Sequence, residues 1–244
     1  MTQFFAYDYH GAPFVFFGTW HIVALMAIGL INFAMLGFRK TAEATRRAVR
    51  WSMVVLICLC EGSWELWNAY WGHWSIQTML PLHLCNMMML LACFMLIFKN
   101  YRIYEFVYPL GISAAISALL TPNAGIYGFP HFWIIETLIA HGLLLTSAVY
   151  MTTVEGFRPT LRSLGRVAVG ANVYLVLIGV INQIIGSNYL YLTHKPDTPS
   201  LLSLLPPWPW YILWAEIIGL GICLILYLPF VVLDGRHKTI VNPV

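Results

Sequence analysis

The stretch LPLHLCN, residues 80–86, combines a histidine, a cysteine and an asparagine just before a long apolar run. Cysteine is the strongest nucleophile among the side chains at neutral pH, but its thiol needs a base or a positive neighbour to lose its proton. Histidine is the usual base. His83, Cys85 and Asn86 therefore suggest nucleophilic chemistry, with polar groups at hand to orient a carbonyl or stabilise an oxyanion.

Two histidines are candidates for the base that would activate Cys85. His83 is close in sequence, but on a regular helix it points about 160° away from Cys85. His141 comes from a different apolar segment and is the better geometric partner. The residues therefore favour His141 over His83 as the partner of Cys85 in a candidate catalytic pair, while simple packing of the thiol and a structural, hydrogen-bonded histidine stay open as alternatives. His83 and Asn86, which share a helix face, are candidates to orient a carbonyl or stabilise an oxyanion.

A second polar set lies in the apolar segment before this motif. Glu61, Glu65 and Asn68 are spaced four and three residues apart, so they fall within about 60° of one another on a single helical face. A carboxylate near the bilayer centre costs about 2.5 to 3.5 kcal/mol, and such groups face the bundle interior or a watered cavity. The face therefore forms either buried hydrogen bonds between helices or the wall of a polar cavity.

The elements that must position these groups are membrane helices. The chain has 244 residues, of which 60% are hydrophobic and only 9% charged, against roughly 25% charged in an ordinary soluble domain. Hydropathy predicts an all-α, polytopic bundle of seven transmembrane helices in one domain, residues 1–244. The predicted spans are roughly 18–38, 51–71, 78–98, 103–120, 132–151, 167–186 and 209–231.

The basic residues set the predicted orientation of this bundle. Of the thirteen Lys and Arg residues, all except Lys195 fall in the loops after the first, third and fifth spans or after the last span. By the positive-inside rule those loops face the cytoplasm, so the N-terminus is predicted outside and the C-terminus in the cytoplasm. A miscount by one span would destroy this asymmetry.

The orientation also gives each polar residue a depth, because an α-helix rises 1.5 Å per residue. On this scale the polar residues form one layer, about 5 to 15 Å below the outer edge. The layer contains Asn182, Asn68, Glu65, Cys85, Glu216, Glu61 and His141. The sequence thus predicts a cavity in the outer half of the bundle. The aromatic-rich segment 187–208 is interpreted either as an interfacial aromatic belt, which the sequence alone favours, or as an ordered roof over this cavity.

Other classes of site and partner receive less support. A formal net charge of +3 gives no reason to expect a nucleic-acid partner. A metal site built from His83, Cys85, His141 and a carboxylate lacks the tight spacing of metal ligands, and no paired-histidine pattern indicates haem, so no cofactor is predicted. The five cysteines all lie in predicted spans, where free thiols behave as small hydrophobic groups.

Three parts of the sequence resemble the YwaF-like integral membrane family. They are LPLHLCN, the IAHGLLL stretch around His141, and GSNYLYLTHKPDTPSLL followed by PWPWYIL. The similarity runs over most of the chain, with Pro206 at a position where we expect glycine. Animal relatives of that family are lipid acyltransferases with a membrane-embedded cysteine and histidine. The resemblance implies those catalytic roles for Cys85, in HLC, and His141, in AHG.

The resemblance further implies the reaction, which moves a fatty acyl chain between phospholipid and lysophospholipid in a bacterial plasma membrane. Asn86, His83 or Asn182 would stabilise the oxyanion, and Glu61 and Glu65 would orient a base or a polar head group. Water as the acceptor would make the protein a phospholipase. Acyl-chain preference, head-group preference and oligomeric state are left open.

Two alternatives come from other functional classes. Intramembrane carboxylates also suit a proton-coupled transporter or channel for small solutes, but the sequence has no inverted repeat and no polar route to the cytoplasmic half. A seven-span receptor rests only on analogy of topology, and the short cytoplasmic loops offer little docking surface.

Overall fold

The computed structural model describes residues 3–196 and 201–240, and within those residues the chain is helical, with no β-strand. The α-helices are α1 (Thr19–Met35), α2 (Glu43–Tyr70), α3 (Leu84–Phe98), α4 (Tyr101–Phe106), α5 (Ile112–Leu120), α6 (Phe132–Thr153), α7 (Leu161–Ile185) and α8 (Trp210–Ile240). Short 3₁₀ turns occupy Gln3–Phe5, Leu36–Lys40, Tyr189–Tyr191 and Leu201–Leu204, and a π-helical turn, Val107–Gly111, joins α4 to α5. The predicted all-α class is confirmed for this part of the chain.

Five helical stretches of the described residues are long and apolar enough to cross a bilayer. They are Thr19–Lys40, Tyr101–Leu120, Phe132–Thr153, Leu161–Ile185 and Trp210–Val232. α3 is apolar but has only 15 residues, about 22 Å of helix against a hydrocarbon core of ~30 Å. α2 has 28 residues, but Glu61 and Glu65 interrupt its apolar sequence. Length and composition thus support five spans, and the count of seven stays a prediction.

The third helix begins later than hydropathy predicts. The segment 78–83 is apolar enough to be counted in the span, yet the helix begins only after its N-cap residue, His83. Pro81 has no N–H donor and disfavours helical geometry in the residue before it. The hydroxyl of Tyr189 also accepts a hydrogen bond from Leu80 N at 2.8 Å, which holds the segment in a turn.

Two other helices begin earlier than predicted because polar residues extend them beyond their apolar segments. α2 begins at Glu43, and its first turns are held by the ion pair between Arg50 and the buried Glu155. α7 begins after a capping box, in which the hydroxyl of Thr160 accepts from Ser163 N at 3.2 Å and Thr160 N donates to Ser163 Oγ at 3.0 Å.

α6 lies at the centre of the bundle, in contact with α1, α2, α3 and α5. Leu144, Ala148 and Met151 of α6 are fully buried in a continuous apolar core with side chains from α2 and α3. Gly142 lets α1 approach closely, since a Cβ at that position would lie 3.1 Å from the side chain of Ile28. α7 and α8 pack at one edge, and many of their outward apolar side chains are exposed, as on a lipid-facing surface.

Charged side chains concentrate at the end of the bundle where α2 begins and α3 and α6 end. The buried carboxylate of Glu155 pairs with Arg50 and, at 2.6 Å, with Lys99, while Glu43 accepts from Arg50 at 2.9 Å. The hydrogen bond from Arg50, with the charge of Lys99 nearby, holds the pKa of Glu43 below its ordinary value. These ion pairs tie three helices together on the side that the basic residues predict to be cytoplasmic.

Candidate functional site

One cavity of ≈ 1410 Å³ is lined by parts of α2 to α8 and by the segment that follows α7. Cys85 and His141, the predicted catalytic pair, both line this cavity. Five other predicted site residues also line it, namely His83, Asn86, Glu61, Glu65 and Glu216. The volume exceeds the roughly 300–1,000 Å³ of pockets for drug-sized ligands, so the cavity can hold a molecule as large as a lipid chain.

Cys85 is the second residue of α3, so it lies beside the N-terminus of that helix. The first N–H groups of a helix have no partner within the helix, and the N-cap residue His83 makes no side-chain hydrogen bond to them. These N–H groups and the helix dipole favour negative charge next to Cys85. The half-buried thiol therefore faces a site that can stabilise an oxyanion.

The hydrogen bond of His141 determines which of its ring nitrogens is free. Nδ1 lies 2.8 Å from the carbonyl oxygen of Thr137, one turn earlier in α6. Because a carbonyl oxygen only accepts, Nδ1 must carry the hydrogen, and the neutral ring then has its lone pair on Nε2. His141 therefore reaches the cavity wall in the tautomer that a general base requires at Nε2.

Asn86 links the cysteine helix to the carboxyl-bearing helix. Its Nδ2 donates to Oε2 of Glu61 at 3.0 Å, which connects α3 to α2 directly beside Cys85. Glu61 lines the cavity together with a second carboxyl group, that of Glu136 in α6. The amide of Asn86 is thus partly engaged in positioning Glu61.

Glu136 is a cavity residue that the sequence analysis missed. It is nearly buried, with 9% of its surface exposed, and it lines the cavity together with its neighbours Trp133 and Thr137. A signal was present in the sequence, since Glu136 is an ionisable residue inside a predicted span, at a depth that belongs to the polar layer. The cavity therefore holds one more carboxyl group than predicted.

His83 lies at the outer edge of the cavity, against the segment that follows α7. Its Nδ1 accepts a hydrogen bond from Leu190 N at 3.4 Å, and its ring packs against Tyr189 and Tyr191 at centroid distances of 5.2 Å. A nitrogen that accepts from a backbone N–H is unprotonated, so the neutral ring carries its hydrogen on Nε2. His83 therefore fastens the roof of the cavity to the start of α3.

The roof itself is an ordered segment, in line with the second interpretation, for the part of 187–208 that the structure describes. The hydroxyl of Tyr211 donates to Tyr191 O, and Trp208 Nε1 donates to Leu192 O at 3.0 Å. The Lys195 ammonium donates to a backbone carbonyl at 2.7 Å and lies 5.6 Å above the ring of Tyr211. Residues 197–200 lie outside the described residues. The predicted aromatic cap thus covers the polar end of the cavity.

Asn182 and Asn68 are placed away from the cavity lining. Oδ1 of Asn182 accepts from Tyr189 N at 2.9 Å and from the Ser187 hydroxyl at 2.7 Å, and its Nδ2 donates to Tyr189 O at 2.9 Å. Asn68 Nδ2 donates to Trp64 O at 2.9 Å. Asn182 therefore anchors the roof to α7, and its position gives no support to the predicted oxyanion role.

The two remaining predicted carboxylates line the cavity but are bound to neighbouring side chains. Oε2 of Glu65 accepts from Trp74 Nε1 at 2.5 Å, and Oε1 of Glu216 accepts from Asn172 Nδ2 at 2.6 Å. These bonds fix the polar ends of α2 and α8 at the rim.

One wall of the cavity also faces outward. Ile218 of α8 lines the cavity and at the same time exposes 46% of its surface on the side where α7 and α8 present apolar residues. Among the described residues, no group of three or more His, Cys, Asp or Glu side chains is placed to hold a metal ion. The cavity thus combines a polar end, apolar walls and a side that borders lipid.

Comparison with known protein families shows which family the chain belongs to. Residues 16–227 match the model of the TMEM164 family. The chain belongs to the TMEM164 family. This is a transmembrane family, in agreement with the apolar helices, and the protein is therefore an integral membrane protein that associates with lipid. No curated protein and no solved structure matches the chain.

Proposed function

We propose that this TMEM164-family protein is a membrane-embedded acyltransferase that carries a fatty acyl chain on Cys85 between a phospholipid and a lysophospholipid. The observation that supports this most directly is that Cys85, beside a helix N-terminus, and His141, in its general-base tautomer, line the same large cavity. The resemblance of LPLHLCN and IAHGLLL to lipid acyltransferase relatives points to the same reaction.

The first half of the reaction would form a thioester. Nε2 of His141 takes the proton of the Cys85 thiol as Sγ attacks the ester carbonyl of the donor phospholipid. The N–H groups at the start of α3 stabilise the negative oxygen of the tetrahedral intermediate. The intermediate then expels the alcohol oxygen of the lysophospholipid, which takes the proton back from His141, and the acyl chain remains on Cys85.

The neighbouring carboxyl group bears on how the thiol is activated. Glu61 is held next to Cys85 by Asn86, and an ionised carboxylate at that position would repel a thiolate. A resting thiolate is therefore unfavourable, and proton transfer to His141 has to accompany the attack. This requirement makes His141 the expected proton acceptor at neutral pH, whereas a thiolate enzyme could act without a base.

The second half of the reaction returns the acyl chain to an acceptor. His141 takes the proton of a lysophospholipid hydroxyl, the oxygen attacks the thioester carbonyl, and the Cys85 sulfur leaves as the proton moves back to it. Phospholipid and free enzyme result. With water as the acceptor, the same steps release a fatty acid, so slow hydrolysis is expected beside transfer.

The proposed topology places the chemistry in the outer half of a bacterial plasma membrane. In it, α2 and α3 cross the bilayer in addition to the five apolar stretches, with the N-terminus outside and the C-terminus in the cytoplasm. Support comes from the ion pairs of Arg50 and Lys99 with Glu155, which mark one end of the bundle, and from Cys85 at the opposite end of α3. The resulting depth suits an ester group just below the head groups.

The decisive experiment follows the acyl group on purified protein in lipid nanodiscs. A phospholipid with a radiolabelled acyl chain and an unlabelled lysophospholipid are added, and transfer and protein labelling are measured. Cys85→Ala should abolish both, and the label on wild type should be released by hydroxylamine. Cys58→Ala, at an exposed cysteine of α2, is the matched control and should retain both activities. Undiminished labelling of Cys85→Ala would refute the proposal.

Proton-coupled transport is the second candidate, because the cavity lining extends from Thr78 near the roof to Asn100 and Arg102 at the ionic end of the bundle. The middle of this route is apolar, with Ile103 and Leu110 in its wall, which disfavours hydrated solutes. Reconstituted liposomes with an internal pH indicator distinguish the two candidates. Proton or solute flux that persists in Cys85→Ala would favour transport.

A further inference from the structure

The cavity continues beyond Cys85 as an apolar channel along one face of the Tyr101–Leu120 stretch. Phe106, Leu110 and Ala114 recur at helical spacing and all line it, and Ile103 lines the cavity about one turn beyond Phe106. On the proposed function, the acyl chain attached to Cys85 needs an apolar binding site close to the thiol. This channel provides such a site.

An aromatic side chain meets α7 at one level of this channel. Phe106 lies directly on Gly170, since a Cβ on Gly170 would be 2.5 Å from Cε1 of the phenyl ring. Both residues line the cavity, so the ring extends from α4 to the backbone of α7. Only glycine permits this approach.

The ring is held at that level by the groups on either side of it. The preceding residue, Glu105, is fully buried and accepts from Arg166 Nε at 2.8 Å and from Ser163 Oγ at 2.7 Å, which fastens α4 to α7. The π-helical turn Val107–Gly111 begins with the next residue. Phe106 is therefore fixed between a buried ion pair and an irregular turn.

The depth of the Phe106 ring relative to the Cys85 thiol, measured along the helix axes, follows from helix geometry. Only Lys99 and Asn100 separate α3 from α4, and the two helices pack against each other, so they run in opposite directions. Cys85 lies about 20 Å from the far end of α3, and Phe106 about 8 Å along α4 from that same end. The ring is therefore about 12 Å deeper than the thiol, close to the ~15 Å that one leaflet's acyl chains fill.

We propose that Phe106, packed on Gly170, forms the floor of the acyl-chain channel and determines the length of chain that Cys85 accepts. This inference rests on the proposed function. Below the floor, past Ile103, the lining turns polar at Arg102 and Asn100, so a longer chain would place methylene groups near groups that must stay hydrated. The floor thus separates accepted from rejected chain lengths on both steric and polar grounds.

The test uses a series of saturated phospholipid donors that differ only in acyl length, with thioester formation read by intact-protein mass spectrometry. Phe106→Ala should shift the preferred length upward, because removing the ring opens the space below it to further methylene groups. Gly170→Ala should shift it downward, because the new methyl group pushes the ring away from α7. Phe106→Leu gives a milder variant should the alanine variant fold poorly.

The matched control is Phe33→Ala, at a phenylalanine of α1 that exposes 73% of its surface, and it should leave the length profile unchanged. An identical length profile for wild type, Phe106→Ala, Phe106→Leu and Gly170→Ala would overturn the floor. If wild type forms no thioester with any donor, the proposed function fails separately. The floor is then judged from the lengths of lipids that remain bound non-covalently, measured by native mass spectrometry, which must differ between Phe106→Ala and Phe33→Ala.

Discussion

A backbone carbonyl sets the chemical state of His141. Helical carbonyls are normally satisfied by the N–H group four residues later, and the carbonyl of Thr137 additionally accepts from the imidazole. The bond costs the histidine little, because it satisfies one ring nitrogen in a place where water is scarce. Because of this bond, the backbone of α6 fixes the orientation of the His141 ring, and no carboxylate is needed to orient the lone pair on Nε2.

The first prediction concerns this residue. His141→Gln keeps a polar side chain of similar size but removes the base, so thioester formation at neutral pH should fall by about 10²–10⁴-fold. The residual rate should rise with pH, because hydroxide then removes the thiol proton in place of the imidazole. The pH profile of thioester formation by intact mass measures both effects.

The control for this prediction is His10→Gln, at an exposed histidine that pairs only with Asp8 among the described ion pairs. It should match wild type at every pH. A neutral-pH rate within threefold of wild type for His141→Gln, about 0.6 kcal/mol of barrier, would show that the histidine is not the base.

For individual residues, the sequence predicts which polar side chains lie in the same layer better than it predicts their hydrogen-bond partners. Cys85, His141 and Glu61 could be assigned to one polar layer because intramembrane polar groups avoid lipid and helical rise gives depth. The role of Asn182 could not, since its partner Tyr189 lies in an irregular segment whose path no periodicity predicts. Glu136 was omitted although the same reasoning applied to it.

Among the elements, the positions at which helices begin are the feature that hydropathy predicts least well. Hydropathy measures preference for lipid, so it located the apolar middle of each helix. It could not locate the start of α2, where Arg50 and Glu43 are helical because of partners on α3 and α6. Nor could it separate α3 from the turn before it, which depends on a distant tyrosine hydroxyl.

The second prediction concerns that hydroxyl. Tyr189→Phe keeps the ring against His83 but removes the bonds to Leu80 N and Ile76 O, both 2.8 Å. Leaving these two partly buried backbone groups without their partner should destabilise the turn before α3 by about 1 kcal/mol. Hydrogen exchange of the amides in 76–86 should accelerate, and thioester formation should slow because the N-terminus of α3 loosens.

Tyr127→Phe is the comparison for this prediction, because it also removes one hydroxyl bond, 2.9 Å to Tyr7 O, on another part of the outer surface. Exchange in 76–86 should remain at the wild-type rate in that variant. Equal acceleration in both variants would mean that the effect is a general loosening and does not come from the turn.

For the whole molecule, the ionic end of the bundle is one connection between helices outside the apolar core. Glu155 is buried at the end of α6, and its two cationic partners come from α2 and α3. A membrane protein gains little from apolar contacts between its helices, because lipid is as apolar as they are. Ion pairs at the bundle end therefore carry a larger share of the stability.

The third prediction follows from this arrangement. Glu155→Gln removes the buried negative partner of Arg50 and Lys99 and leaves them only the more exposed Glu43, so the free energy of unfolding should fall by about 3 kcal/mol. Thermal unfolding in detergent, followed by circular dichroism, measures the loss. Glu43→Gln is the contrasting variant at an exposed position of the same network and should lower the unfolding midpoint much less. The reverse order of the two midpoints would contradict the prediction.

On the proposed function, the outward-facing side of the cavity, at Ile218, is where lipid substrates would enter. For a substrate that enters from the bilayer, the reaction rate depends on its mole fraction among the lipids. Its concentration in the aqueous volume does not affect the rate. Detergent tails occupy the same two-dimensional solvent and dilute the substrate there. Rates measured in micelles should therefore fall as detergent is added at constant substrate, and kinetic constants acquire meaning only per unit of membrane surface.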